Sequence, residues 1–263
     1  MTLSTSQNDS QFRNLRIFNA VMGVVHLIQG IVMLAISSDF TLPVTTSFLA
    51  GVGEEDSVQL VSQTETLLDL RIAPVIAAFL FMSALAHSLV ASPPIFPWYK
   101  RNLQKGANYA RWIEYAFSSS VMIVVIAMLF GMYDVASLLL IFTLNATMIL
   151  FGWMMELHNQ STEKTDWTSF IFGSIAGIVP WIAIGIYLVG SGLQNGNVPN
   201  FVYAIYASLF VSFNIFAINM VLQYKKIGPW QDYLFGERAY IVLSLFAKSI
   251  LAWQVYAGTL QPA

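Results

Sequence analysis

Two charged residues, Lys248 and Glu114, stand inside stretches of sequence that are otherwise apolar. Lys248 is the tenth residue of its stretch, which places it about 14 Å along a helix. An amine at that depth suits three roles: a structural ion pair, an ion-coupling site, or a nucleophile that forms a Schiff base with an aldehyde. Glu114 suits a pair with Arg111, three residues earlier, or with a cation on another helix.

The composition makes these two charges exceptional. Hydrophobic residues make up 57% of the 263 and charged residues 10%, with a mean hydropathy of +0.65. A soluble domain has about 25% charged residues, so the chain is an integral membrane protein. The net charge of −2 excludes a nucleic-acid-binding protein, the hydrophobicity excludes a disordered one, and the absence of Cys excludes a disulfide scaffold.

Seven apolar stretches are each long enough to cross a bilayer as a helix, and none alternates like a barrel strand. We therefore expect an all-α membrane protein that forms one seven-helix domain over residues 1–263. The predicted spans are residues 15–37, 72–91, 107–130, 135–155, 167–189, 201–222 and 239–259.

The first loop, residues 38–71, is the longest connection between spans. Two β-prone runs, 42–49 and 58–61, flank a Gly-rich acidic turn at 51–56. This pattern predicts a β-hairpin on the membrane surface, with an irregular loop as the alternative.

The cations predict the orientation of the chain. If seven spans alternate in direction, Arg71 alone lies on one side, and ten of the twelve cations lie on the other: Arg13, Arg16, Lys100, Arg101, Lys105, Arg111, Lys164, Lys225, Lys226 and Arg238. The side rich in cations is the cytoplasmic one, so we expect a cytoplasmic N-terminus and an extracellular C-terminus.

Other polar residues in the spans suggest weaker candidates. His26 and His87 lie in consecutive spans, where two histidines favour either packing with hydrogen bonds or a hydrated polar cluster. Ser244 and Ser118 lie one turn from Lys248 and Glu114 and are suited to hydrogen bonding there. A metal site is not expected, because no acid or histidine pair in the spans has ligand spacing.

Several strings in the sequence are similar to those of the heliorhodopsins, a family of seven-helix rhodopsins. They are 111–115 (RWIEY), 118–123 (SSSVMI), 145–153 (NATMILFGW), 175–181 (IAGIVPW), 236–240 (GERAY), 247–249 (AKS) and 252–254 (AWQ). The resemblance covers essentially the whole chain, and its topology agrees with the orientation predicted from the cations.

The resemblance implies that all-trans-retinal is bound through a Schiff base to Lys248, with Glu114 as its counterion. Ser244 stands where ion-pumping rhodopsins carry a second Asp, and Val125 where proton pumps carry a carboxyl donor. Phe213 stands where those pumps have a Trp beside the ring of retinal. These substitutions imply a protein that does not pump protons.

The resemblance also implies the remaining site residues. The retinal pocket is expected to include Ser118, Trp112, Tyr115, Met122, Asn145, Met148 and Trp181. A polar network that accepts the proton is expected to comprise His26, His87, Gln29, Glu156 and Arg111.

The favoured hypothesis is a light sensor that moves the Schiff-base proton without net transport. A light-driven or light-gated ion transporter is the alternative, and a bundle without retinal is a third possibility. No residue set indicates an enzyme. The bilayer, a second copy of the chain and an unidentified signalling protein are the expected partners, and no nucleic acid is.

Overall fold

The computed structural model describes residues 2–53, 58–195 and 199–260. Within them, seven helices are long and apolar enough to cross a membrane, as predicted. These are α1 (Thr2–Ile36), α2 (Ile72–Ala91), α4 (Tyr109–Leu129), α5 (Val135–His158), α6 (Thr168–Asn195), α7 (Asn200–Tyr224) and α8 (Tyr233–Val255). The spanning helices from α1 to α6 pack side by side in chain order, as do α7 and α8, and α8 returns against α1 and α2. Helices α6 and α7 meet through the ring of Trp181, which contacts those of Tyr206, Phe210 and Phe213.

Helix boundaries differ from the predictions mainly where polar residues begin a helix. The last helix begins at Tyr233, not at residue 239, because the Asp232 side chain caps it by accepting a bond from the backbone N–H of Leu234. The sequence also did not predict α3 (Phe96–Gln104), a short amphipathic helix between α2 and α4. Pro97 lies in its first turn, a position that suits proline because no hydrogen bond is lost there.

The first loop forms the predicted hairpin. Strand β1 (Thr41–Val52) pairs antiparallel with β2 (Gln59–Arg71), and the register shifts once between Val44 and Thr45. The second strand is longer than the predicted run 58–61 and continues until α2 begins. Residues 54–56 of the predicted acidic turn lie outside the described residues.

Backbone hydrogen bonds join several chain segments at the end of the bundle that carries the hairpin, called here the hairpin end. Ser38 N–H donates to the carbonyl of Leu260 beyond α8 at 2.8 Å, and Thr45 N–H donates to that of Tyr133 at 2.9 Å. The hairpin is thereby joined to the loop between α4 and α5, and the segment before it to the end of α8.

The two halves of the core differ in polarity. The opposite end of the bundle, the basic end, carries most of the cations, and the buried ionisable side chains lie there or near mid-bundle, at the level of Lys248. From that level to the hairpin end, the described spanning residues include no Asp, Glu, His, Lys or Arg. The interior there is filled by apolar side chains such as Val125, Ile126, Leu251 and Val255.

Large apolar side chains also cover the outside of the helices. Leu139 and Leu140 are 65% and 63% exposed, and similar residues occur on every spanning helix. A surface of this kind suits hydrocarbon and not water.

Candidate functional site

Lys248 and Glu114 form a buried pair near the middle of the bundle. Lys248 is 3% exposed, and its Nζ lies 3.1 Å from Glu114 Oε1 and 2.8 Å from Ser244 Oγ. Ser83 Oγ donates to the same carboxylate oxygen at 2.6 Å. The ammonium also lies 5.2 Å from the centre of the Tyr115 ring.

Three helices bring these groups together. Lys248 and Ser244 are four residues apart on α8 and so share one face, while α4 supplies Glu114 and α2 supplies Ser83. One carboxylate and two hydroxyls therefore surround one amine in a region shielded from water. This arrangement can hold a single positive charge at Nζ in low dielectric.

A cavity of about 390 Å³ extends from Lys248 between α4 and the later helices. Its walls are mostly apolar, and its volume is in the range of small-molecule pockets, about 300–1,000 Å³. Seven predicted residues line it besides Lys248: Trp112, Tyr115, Met122, Met148, Trp181, Phe213 and Ser244.

Two glycines allow side chains of the cavity wall to pack closely against neighbouring helices. A Cβ added at Gly152 would lie 2.5 Å from the Trp112 ring, and one at Gly177 would overlap Met148 Sδ. An apolar cavity with an amine at its wall fits a long apolar aldehyde such as retinal.

Two predicted pocket residues, Asn145 and Ser118, are not among the residues that line the cavity. Asn145 is buried on α5 and donates from Nδ2 to Ser119 Oγ at 2.8 Å and to Ser120 Oγ at 3.0 Å, of which Ser119 lines the cavity. Ser118 is fully buried on α4, one turn after Glu114. Their contact with the ligand stays a prediction, and Asn145 supports the wall of the cavity through Ser119.

The two histidines stack on each other beside the lysine pair. Their ring centroids are 5.6 Å apart with an interplanar angle of 8°. His87 Nδ1 lies 2.8 Å from Asn19 Oδ1, whereas His26 is fully buried and neither of its nitrogens has a hydrogen-bond partner among the described residues.

The expected polar network is divided into separate groups. Gln29 accepts a hydrogen bond from Ser249 Oγ at 2.9 Å and does not join the histidines. Arg111 and Glu156 lie nearer the basic end and bond to each other at 3.0 Å. Direct hydrogen bonds among the described residues therefore do not join all five side chains, and one network of all five stays a prediction.

Arg111 is the centre of a second buried cluster. Its guanidinium donates from Nη2 to Glu156 and from Nη1 to Glu237, both of which are almost fully buried. The placement of Arg111 at the membrane edge was therefore wrong, as was the alternative pair with Glu114. The cation also lies 4.5 Å from the Trp112 ring and 4.0 Å from the Tyr240 ring.

Glu156 accepts four hydrogen bonds. Besides Arg111, its donors are the hydroxyl of Tyr233 at 2.9 Å, the backbone N–H of Asn108 at 2.9 Å and the indole N–H of Trp112. Because Trp112 also lines the large cavity, this residue connects the wall of the cavity with the charged cluster.

Sequence reasoning missed several residues of these two sites, namely Glu237, Asn108, Asn19 and Ser83. Glu237 had a usable signal, because a helix capped by Asp232 places it in the second turn and not outside the span. The other three are neutral residues whose partners lie far away in the sequence.

The described residues contain no group of three or more His, Asp or Glu side chains arranged to hold a metal ion.

A seven-helix membrane bundle with a lysine–carboxylate pair at the wall of an apolar cavity defines the class of the rhodopsins. The heliorhodopsin family model matches residues 15–260 of the chain. The protein therefore belongs to the heliorhodopsin family, and it is a multi-pass, photoreceptor-type membrane protein that binds a retinal chromophore. A search of curated proteins finds no match to the sequence.

Proposed function

We propose that this protein is a light sensor that holds all-trans-retinal on Lys248 and moves a proton inside the membrane without net transport. The observation that carries the proposal is the position of Lys248 Nζ. It is buried at the wall of the large cavity, 3.1 Å from Glu114 Oε1 and 2.8 Å from Ser244 Oγ.

The surroundings of Lys248 favour covalent attachment over a purely structural ion pair. A structural pair needs only a close partner, whereas this amine also borders an apolar cavity of about 390 Å³. Burial favours the neutral, nucleophilic form of an amine, which can then join an aldehyde. When bound, retinal supplies light absorption and photoisomerisation.

In this proposal Glu114 is the counterion of the charged nitrogen. It is the carboxylate that contacts Lys248, and the Ser83 hydroxyl keeps one of its oxygens oriented toward Nζ. The pocket residues Trp181, Phe213, Met122 and Met148 exclude water and limit the shapes that the ligand can adopt.

The polarity of the core supports proton movement without net transport. On the basic side of Lys248 lie His87, Arg111, Glu156 and Glu237, all of which can hold or attract charge. On the hairpin side the described spanning residues include no ionisable group of these kinds. A proton that leaves Nζ therefore has partners on the basic side alone, and it returns by the same route.

We further propose that the basic end faces the cytoplasm. Nine of the twelve cations belong to that side without the buried Arg111, which agrees with the usual excess of Lys and Arg in cytoplasmic loops. A second copy of the chain is the proposed partner of the hairpin, whose exposed apolar side chains include Phe48, Leu49 and Leu60. A separate signalling protein at the basic end completes the proposal for a sensor.

Visible absorption tests the attachment. Protein supplied with all-trans-retinal is expected to develop a visible band that Lys248→Ala abolishes. Lys225→Ala, which removes an exposed cation at the basic end, is the matched control and is expected to keep the band. A band of full intensity in Lys248→Ala would overturn the assignment.

Transport tests the sensory part of the proposal. The purified protein is reconstituted into vesicles with a pH indicator and illuminated continuously, with a protonophore as the control. We expect no sustained pH change and no steady photocurrent. Sustained transport in the light would instead establish a light-driven or light-gated transporter.

A further inference from the structure

A small cavity connects the lysine site with the Arg111 cluster. Its volume is about 40 Å³, and residues of both sites line it, among them His87, Glu114, Arg111 and Glu237. A water molecule needs at least about 10–15 Å³ of such space, so the cavity has room for about two or three of them. Glu114 and Glu237 thus face one common space.

Tyr99 of α3 forms one wall of this cavity. Its side chain lines the cavity together with those of Asn19 and Asn108, and Asn19 Oδ1 lies 2.8 Å from His87 Nδ1. Burial raises the pKa of Tyr99, so its hydroxyl stays protonated and can both donate and accept hydrogen bonds. The wall therefore supplies uncharged groups along which a proton can pass.

The Arg111 cluster has one cation and two carboxylates, so it carries an excess negative charge when both acids are ionised. Its carboxyl oxygens accept hydrogen bonds from several N–H and O–H donors. A buried site with excess negative charge attracts a proton.

Hydrogen-bond capacity distinguishes the two acids. Glu156 accepts four hydrogen bonds, from Arg111, Tyr233, Asn108 and Trp112, and protonation would break at least one of them. Glu237 accepts from Arg111 and Asn108, with Gln223 more distant at 3.5 Å. Glu237 also lines the small cavity, whereas Glu156 lines a separate cavity of about 300 Å³ near the basic end.

We propose that Glu237 takes up the proton that leaves the Lys248–Glu114 pair. The proton passes from Nζ to the Glu114 carboxylate and then through the small cavity to Glu237, which becomes a neutral acid while the lysine nitrogen loses its charge. The inference rests on the proposed function, since it names where the displaced proton is held.

Charged and titratable groups from several helices face this route. They are His87 of α2, Tyr99 of α3, Arg111, Glu114 and Tyr115 of α4, and Tyr240 of α8. Glu156 and Tyr233 bond to each other and line the separate cavity near the basic end. Arg111 is the fixed cation among the groups that face the route. Its bond to Glu237 weakens when that acid becomes neutral, which frees the guanidinium toward Glu156.

Light-minus-dark infrared spectroscopy of the retinal-bound protein tests the inference. The wild type is expected to show a protonated-carboxyl band that disappears in Glu237→Gln and persists in Glu156→Gln. Glu163→Gln changes an exposed acid at the basic end and is the matched control that keeps the band. A band that survives in Glu237→Gln, or that is lost only in Glu156→Gln, overturns the inference.

A second variant keeps the test decisive if Glu237→Gln does not fold. Glu237→Asp retains the acid, so the band is expected to shift in frequency, and an unshifted band overturns the assignment. If these variants keep their visible absorption, they still bind retinal. A negative infrared result then contradicts this inference and leaves the proposed retinal attachment intact.

Discussion

Replacement of Arg111 by Met is expected to destabilise the protein strongly. Arg111 is 7% exposed, and its guanidinium bonds to two buried carboxylates, Glu156 and Glu237. Removing one partner from a buried ion cluster typically costs about 3–5 kcal/mol, because uncompensated charge remains in low dielectric. Loss of the ring contacts with Trp112 and Tyr240 adds about 0.5–2 kcal/mol.

A second substitution is expected to restore part of that loss. In the double variant Arg111→Met/Glu237→Gln, the remaining carboxylate keeps its bonds from Tyr233, Asn108 and Trp112. The double variant should therefore be more stable than Arg111→Met alone, with a coupling free energy of about 1–3 kcal/mol.

The free energy of unfolding can be measured by titration with SDS, followed by tryptophan fluorescence. The control is Lys100→Met, which breaks the exposed pair between Lys100 and Asp9 and should change stability by about 0–1 kcal/mol. If Arg111→Met and the double variant were equally unstable, Arg111 and Glu237 would not be coupled. A loss no greater than that of Lys100→Met would refute the buried cluster itself.

Two further predictions concern the large cavity and its counterion. Glu114→Gln is expected to shift the visible band strongly, because the charged nitrogen loses its partner. The control Glu163→Gln should leave the spectrum unchanged. If the two variants had the same spectrum, Glu114 would not be the counterion. Gly152→Ala is expected to destabilise the protein by about 1–3 kcal/mol in the same SDS titration, because the new Cβ would lie 2.5 Å from a tryptophan ring. Gly190→Ala is its control, since nothing lies within 4 Å of the added atom, and equal stability of the two variants would contradict the packing described here.

The sequence predicted those parts of the fold and site that depend on local composition. Apolar length alone predicts seven spans, and the β-prone runs predict the hairpin. Lys248 and Glu114 were recognisable because a charge is rare inside an apolar helix. Their contact followed from similar depth and from the resemblance to a known family.

The Arg111 cluster could not be predicted in the same way. Arg111 lies 45 residues from Glu156 and 126 from Glu237, so a single sequence contains no direct sign that the three meet. Each of these three residues lies close to the end of a span, where charged residues are common. Only the packing of α4, α5 and α8 shows that these three side chains turn inward and become buried.

The hydrogen bonds at the hairpin end have a mechanical consequence for α8. The segment after this helix is held at Leu260 by Ser38, and the hairpin is held at Thr45 by Tyr133, so the hairpin end acts as a pivot. If α8 tilts about this fixed end, the displacement is largest at the opposite end of the helix, near Tyr233. We therefore expect the mechanical output of the molecule to emerge at the basic face, while the hairpin face stays still.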